Sequence, residues 1–402
     1  QMCIRDRNRI KMTVVKDTLF AQTVFFKSFH NEGGYEKMTA IPEKMKGVYL
    51  TGFGGYDKLD YREDIPVPKP KAGEVLVKIG AAAVNNTDIN TRIGWYSKNV
   101  KTATSVGGAE GYGDDVNEDG SWLGQALGFP RIQGADSCGR IVAVGEGVDE
   151  KRIGERVLIR NVQEMPPSEH GLECFTHGSE CDGTFCEYTT ARSEEVFCIN
   201  SSLSDEELAV FPCAYATANN LICRVGVKEN DRVLVTGASG GVGSALVQLV
   251  KARGAKVIGV CDPGQEDIVK GYGADEIIFR GEDYIEKLGE MSVDVVLDMV
   301  AGDSWPQILK ILKKGGKLGM CGAIAGPIVE FDVRDMYLKD LSFYGTTYQT
   351  RDSMLQLIEF VEQGKVRPII AKVYPLKDIV EAQKAFLSKK HVGKIVLKVS
   401  EN

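Results

Sequence analysis

The sequence predicts an α/β protein with a β-rich lobe and a doubly wound parallel-sheet lobe. Three observations predict it. Residues 45–197 break into short, alternating apolar runs between glycine-rich turns. Residues 202–345 alternate apolar strands with amphipathic helices. A glycine-rich turn joins the first of those strands to a long helix.

At 402 residues the chain is too long for one ordinary core, and about one domain per 150 residues gives two or three. Hydrophobic residues at 43% and charged residues at 26% match a soluble globular protein. A net charge of −7 without dense Lys/Arg clusters argues against a nucleic-acid partner. No apolar run approaches the roughly 20 residues that span a bilayer, so no membrane partner is expected. The start shows no signal-peptide pattern. Ten scattered cysteines without a tight framework suit reduced thiols and a cytoplasmic setting.

Taken in order, the opening QMCIRDRNRI carries no usable pattern, and Met12, Met38 and Met45 are all candidate starts. Residues 1–44 are expected to be an extension of little function. GVYLTGFGGYDKL, EVLVKIGAAAV, GRIVAVGEGV, GERVLIRNV and GTFCEYTTA follow. Their period-two alternation and glycine-rich turns fit a mostly antiparallel sheet. Residues 98–127 are rich in Gly and Asp and read as a long loop; residues 163–182, with Pro166 and Pro167, read as a second.

The character changes near Ser202. SLSDEELAVFPCAYATANNLICRV has helical spacing, with Ser204 as N-cap and Glu207 completing a capping box. RVLVTGA, GGVGSALVQLVKARGA, KVIGVCD, GQEDIVKGYGA, DEIIF, DVVLDMV, SWPQILKILKKGG and KLGMCGA then alternate strand and helix. Such a rhythm needs crossover connections and a parallel sheet covered on both faces. After Tyr348 the tail reads helix (SMLQLIEFVEQG), strand (AKVYPL), helix (DIVEAQKAFLSK), strand (KIVLKV). It can return to complete the first lobe. The expected division is residues 45–203 with 346–402 as one domain, and residues 204–345 as the other.

RVLVTGASGGVGSALVQLVKARGAKVIGVCD, residues 232–262, carries a dinucleotide fingerprint. Ala238 takes the first position of G-x-G-x-x-G, with Gly240 and Gly243 in the others. Gly240 lets backbone approach a pyrophosphate, Gly243 lets helix pack on strand, and free N–H groups from Ser239, Gly241 and Val242 face the anion. Asp262 ends the second strand about 20 residues on, where an acid accepts from the ribose 2′-hydroxyl of NADH. It can equally be a turn residue before Pro263. Arg280, and less readily Lys256, are the candidates for a 2′-phosphate of NADPH. NADH or NADPH stays open.

Taken as a set, MKGVYLTGFGG, KAGEVLVKIG, VNNTDINTRIGWY, FPRIQGADSCGRIVAVG, GERVL, GTFCEY, TGASGGVGSALVQLVKARGA and HVGKIVL resemble the medium-chain dehydrogenase/reductase superfamily. Within it, the chain is similar to the zinc-independent quinone oxidoreductase, or zeta-crystallin-like, branch, from about Met45 to the C-terminus. The resemblance implies a GroES-like catalytic domain, a Rossmann domain, a cleft active site and a homodimer. Zinc-dependent members take metal ligands from segments resembling AVNNTD, Gly134-Ala135-Asp136 and Phe211-Pro212-Cys213. Here those positions hold Asn85, Ala135 and Cys213, and only the last binds zinc readily. A catalytic zinc needs three protein ligands, so no metal is expected. The four-cysteine run of the structural-zinc lobe is also missing. His170, Cys174, His177 and Cys181 have ligand chemistry, but their H-x3-C-x2-H-x3-C spacing matches no familiar site and reads as coincidence.

Without zinc, a conjugated carbonyl is the easier hydride acceptor, because its charge spreads to an oxygen that ordinary donors stabilise. Asn85 is the first donor candidate, or else a turn residue. The resemblance places Thr87 at a relay hydroxyl and Tyr96 at a cleft tyrosine, each with a packing role as the alternative. Asp88 is expected to hold the loop by hydrogen bonding. Cys213 beside Tyr215 lines the cleft. On the cofactor side the resemblance puts Thr217 near the nicotinamide ribose and Cys321, Gly322 and Ala323 near the nicotinamide. Gly345, in Phe343-Tyr344-Gly345, offers backbone groups, and Lys394 lies near the phosphates. These features point to an NAD(P)H-dependent, zinc-independent reductase of a quinone, enone or enoyl group. A small-alcohol dehydrogenase and a non-catalytic NADPH-binding protein are the alternatives.

Overall fold

A computed structural model describes residues 41–113, 116, 119–164 and 174–400. The expected N-terminal extension lies almost wholly outside the described residues.

The β-rich part contains two sheets. Lys44–Leu50 pairs antiparallel with Leu59–Pro66 and, at its end, with Arg131–Ile132. The larger sheet runs Val196–Cys198, Arg156–Ile159, Asp136–Val144, Glu74–Ala83, Lys394–Lys398, Ile370–Pro375, with Tyr188–Arg192 also on Glu74–Ala83. Period-two alternation explains the central strand. Val75, Val77 and Ile79 join one apolar cluster with Ile141 and Val157, while Ala82 and Val84 join another with Ile395 and Leu397. The tail does return: Val396 pairs with Ala83 and Lys398 with Ala81. This register sets Lys394 beside the segment that follows Ala83.

The second sheet has six parallel strands in the order Glu276–Phe279, Lys256–Cys261, Arg232–Val235, Val293–Asp298, Leu312–Met320, Ser342–Gly345. This is the doubly wound arrangement in which the carboxyl ends of central strands form a ligand crevice. Ser342–Gly345 is an edge strand. The tail helix Arg351–Glu362 packs on Ala216–Val225, where Asn219 Nδ2 donates to Ser353 O at 2.8 Å. Its Met354, Leu357 and Val361 share a core with Val233 and Val235.

Three segments differ from expectation. The helix after Ser204 is broken: Asp205–Leu208, a π-helical turn Phe211–Tyr215, then Ala216–Val225. Pro212 cannot donate a backbone N–H, and π turns insert where tertiary contacts compete with the helix ladder. Within residues 98–127, Thr104–Gly107 is a short helix, and Asp119 accepts from Ser97 Oγ at 2.7 Å. In the second expected loop, Val162–Glu164 and Cys174–Thr176 pair as a ribbon. Among the described residues no helix is long and apolar enough to cross a membrane.

Candidate active site

The cofactor cradle forms where strand Arg232–Val235 turns into helix Gly241–Lys251. Gly237, at φ +59°, takes the left-handed turn, which is why Ala238 is tolerated in the fingerprint's first position. Gly240 is exposed, and its N–H donates to Gly237 O at 3.0 Å. A methyl on Gly243 would stand 2.0 Å from Gly237 O, so only glycine fits there. Ser239, Gly241 and Val242 are half-buried around this helix start. An uncovered helix N-terminus on a glycine turn fits a pyrophosphate.

Asp262 and Arg280 are brought together at the ends of adjacent strands, with Arg280 Nη2 donating to Asp262 Oδ2 at 2.8 Å. Lys256 is corrected: it begins strand Lys256–Cys261, at the opposite end of the sheet from the cradle. Cys321, Gly322 and Ala323 follow strand Leu312–Met320, and Cys321 N–H donates to Asp298 O at 3.3 Å. Burial pushes the Cys321 thiol up to about 12. Gly345 is exposed at the end of the neighbouring edge strand, paired with Met320. Thr217 Oγ1 accepts from Gln349 Nε2 at 2.9 Å. Asp298 escaped the sequence reading. Fully buried, it accepts from Thr236 Oγ1 at 2.6 Å and from the N–H groups of Val300 and Ala301 at 3.0 Å. It ties two strand ends beside the cradle.

On the substrate side, Asn85 caps helix Asn86–Ile93. Its role as a substrate donor is corrected, because the amide is already consumed. Asn85 Nδ2 donates to Ala83 O at 3.1 Å and to Asp136 Oδ2 at 2.8 Å, while its Oδ1 accepts from Lys394 Nζ. Lys394 belongs to the same network, and its stem passes the start of the cradle helix, with Cδ 2.8 Å from where a methyl on Gly241 would stand. Its side chain is 3% exposed, and Nζ pairs with Asp136 Oδ2 at 2.9 Å and donates to Val84 O at 3.1 Å. Asp136 Oδ1 in turn accepts from the Cys213 N–H at 2.5 Å. Asp136 is the hub that sequence reasoning missed; its one available signal was an acid directly after Ala135.

The three positions that match metal ligands therefore hold Asn85, Ala135 and Cys213, with an ammonium bonded to the first of them. One thiol beside a cation does not fit a catalytic zinc, which needs three donors. Burial, and then the Asp136 charge, push the Cys213 thiol well above its ordinary value. Among the described residues no three His, Cys, Asp or Glu side chains gather to hold a metal. His170 lies outside the described residues. His177 is buried, which holds its imidazole down at about 4. Cys174 and Cys181 are likewise pushed up by burial, to about 11 and about 12.

Asp88, fully buried, is a loop clamp, accepting from Asn85 N–H at 2.7 Å and Gly134 N–H at 3.2 Å. Tyr215 is corrected as a pocket residue. Its ring packs edge-on against Phe211, and its hydroxyl donates to Arg367 O at 2.7 Å, in the direction of Gln248. Thr87 and Tyr96 do come together: Tyr96 Oη donates to Thr87 Oγ1 at 3.2 Å, and both residues are half-buried.

Comparison with known proteins agrees with the fold. The alcohol dehydrogenase GroES-like domain matches residues 71–201, and the zinc-binding dehydrogenase family matches residues 241–363. A quinone oxidoreductase of Lama guanicoe is 30% identical over 88% of this chain and 97% of its own length. An acryloyl-coenzyme A reductase of Metallosphaera sedula is 28% identical over 88% of this chain and 99% of its own. A solved structure from Sinorhizobium meliloti 1021, named as an alcohol dehydrogenase, superposes with a TM-score of 0.80. It is 39% identical, covering 90% of this chain and 99% of that one.

Proposed function

The chain belongs to the medium-chain dehydrogenase/reductase superfamily, in its quinone oxidoreductase branch, and on that premise we propose that it reduces conjugated carbonyl compounds with NAD(P)H and without zinc. The observation that carries this reading is the exchange on the substrate side. A consumed asparagine and an ammonium stand where a metal would need donors, while a hydroxyl pair at Thr87 and Tyr96 remains half-buried beside them. The nicotinamide supplies the hydride when bound. Thr87 Oγ1 accepts the Tyr96 hydrogen, which leaves the threonine hydrogen for a substrate oxygen. One neutral hydroxyl donor, backed by a second, suits a charge spread over an enolate better than one concentrated on an alkoxide. The relatives named for quinone and acryloyl-coenzyme A reduction support the same substrate class.

The test is a screen of purified protein, following nicotinamide absorbance against quinones, enones, enoyl thioesters and simple alcohols. Turnover of the conjugated acceptors alone is expected. Tight cofactor binding with no turnover would overturn the enzyme reading, and stoichiometric zinc in the active protein would overturn the metal-free one. Oxidation of a small alcohol through the same hydroxyls is the second reading, favoured by the similarity to the Sinorhizobium structure; the alcohol arm of the screen decides it.

For the cofactor, the Asp262 carboxylate favours NADH, and Arg280 beside it keeps NADPH usable. Arg280→Ala is then expected to weaken NADPH binding about tenfold while leaving NADH nearly unchanged, as read by fluorescence titration. A homodimer across the Ser342–Gly345 edge is part of the proposal. Ile328, Val333, Tyr337 and Leu338 lie just upstream of that edge strand and are more than 60% exposed, apolar surface that a partner subunit would cover. Light scattering at micromolar protein checks it. A cytoplasmic setting belongs to the same reading, and cell fractionation checks that.

A further inference from the structure

Lys394 connects two parts of the site that are otherwise separate. Its stem runs under the start of the cradle helix, where a methyl on Gly241 would stand 2.8 Å from Lys394 Cδ. Its ammonium ends on the substrate side, donating to Val84 O and Asn85 Oδ1 and ion-paired with Asp136 Oδ2 at 2.9 Å. A buried ammonium is costly unless paired and hydrogen-bonded, and this one has an ion-pair partner and two hydrogen-bond acceptors. Asp136 shares its second oxygen with the Cys213 N–H on the π turn. One cation therefore fixes three segments: the Asn85 cap, the start of strand Asp136–Val144, and the turn that carries Cys213.

We propose that Lys394 is the resident cation of this pocket and a positioning residue for the reaction. It holds Asn85 as the cap of helix Asn86–Ile93, so that Thr87 in the first turn presents its hydroxyl to the cleft. Through its stem it ties that geometry to the cofactor cradle. The catalytic side of this proposal rests on the reductase reading above.

The experiment compares Lys394→Met, which keeps the stem and removes the charge, with Lys394→Arg, Asp136→Asn and the Lys394→Met/Asp136→Asn double variant. Steady-state kinetics use NADH and the acceptor that the wild type turns over fastest. Lys394→Met is expected to lower kcat about 10- to 100-fold, with the NADH Kd held within about threefold, and Lys394→Arg to recover most of that loss. The opposite split, at least roughly tenfold weaker NADH binding with kcat kept at saturation, would make Lys394 a phosphate ligand and overturn the proposal. Unchanged kinetics would overturn it too. Melting temperatures provide a readout that needs no activity. Each single variant should melt lower, and the double should lose less than the sum. Additive losses would break the pair. A wild type that reduces no acceptor overturns the reductase reading and the kinetic role with it, and the melting data then report on the pair alone.

Discussion

The carboxyl of Asp88 is 1% exposed, with Lys394 and Asp136 as its charged neighbours. Burial raises it to about 7; the Asn85 N–H, the Lys394 charge and the Gly134 N–H pull the other way. In the unfolded chain an aspartate titrates near ~4. Between these values the folded protein holds more protons than the unfolded one, so this group's contribution to stability falls as pH rises from about 4 to 7. Urea denaturation at pH 5 and pH 8 should therefore show wild type losing stability relative to Asp88→Asn. A constant difference would place the acid outside that window. The hydroxyl pair offers a second prediction at this scale. Thr87→Val should lower kcat about 100-fold and Tyr96→Phe about tenfold, both without loss of cofactor affinity. Equal effects on NADH binding would move the pair to the cofactor's side. Thr87 and Tyr96 were legible only through the family resemblance; that their hydroxyls meet is a local result of one helix and its following turn, nine residues apart. Sequence reasoning misread Asn85 because two of the three partners that consume its amide lie 51 and 309 residues away.

At the scale of elements, local chemistry was readable and inserted geometry was not. Ser204 caps its helix as its sequence implies, accepting from Glu207 N–H at 3.2 Å while Glu207 Oε2 accepts from Ser204 N–H at 2.7 Å. All of that information lies within four residues. The π turn Phe211–Tyr215 reads as ordinary helix because its cause is distant: Asp136 draws the Cys213 N–H to itself from 77 residues away. The cradle was legible for the opposite reason, since backbone approach restricts each residue type there. Gly243→Ala tests that restriction. A methyl 2.0 Å from Gly237 O must push the helix start off its strand. NADH affinity should fall by more than about tenfold, from loss of backbone N–H contacts to the pyrophosphate. A titration showing wild-type affinity would mean the cradle relaxes freely.

At the scale of the whole molecule, period-two runs and strand–helix alternation carried the architecture, because each pattern is a local consequence of which face is buried. How the two sheets are joined was not readable. Arg160 and Glu195 come from the β-rich part, and both are fully buried, paired at 2.7 Å. Arg160 Nη1 donates to Gln349 O, 189 residues on, and its guanidinium lies 5.5 Å from the Tyr348 ring centre. Arg351 closes the group, 2.6 Å from Glu195. Residues 348–351 leave the parallel sheet here, and the Gln349 side chain reaches Thr217 Oγ1 and Cys213 O. The cluster thus anchors the crossing between the sheets within reach of both halves of the site. Arg160→Met strands the Glu195 charge with Arg351 alone. Breaking a buried pair in this way costs about 3–5 kcal/mol, and Arg351 should keep the loss near the lower end. Arg160→Met/Glu195→Met removes both charges and should be more stable than Arg160→Met in urea. Cofactor affinity should weaken in the single variant and recover in the double. If Arg160→Met unfolds at the wild-type urea concentration, the joint between the sheets is carried by apolar packing instead.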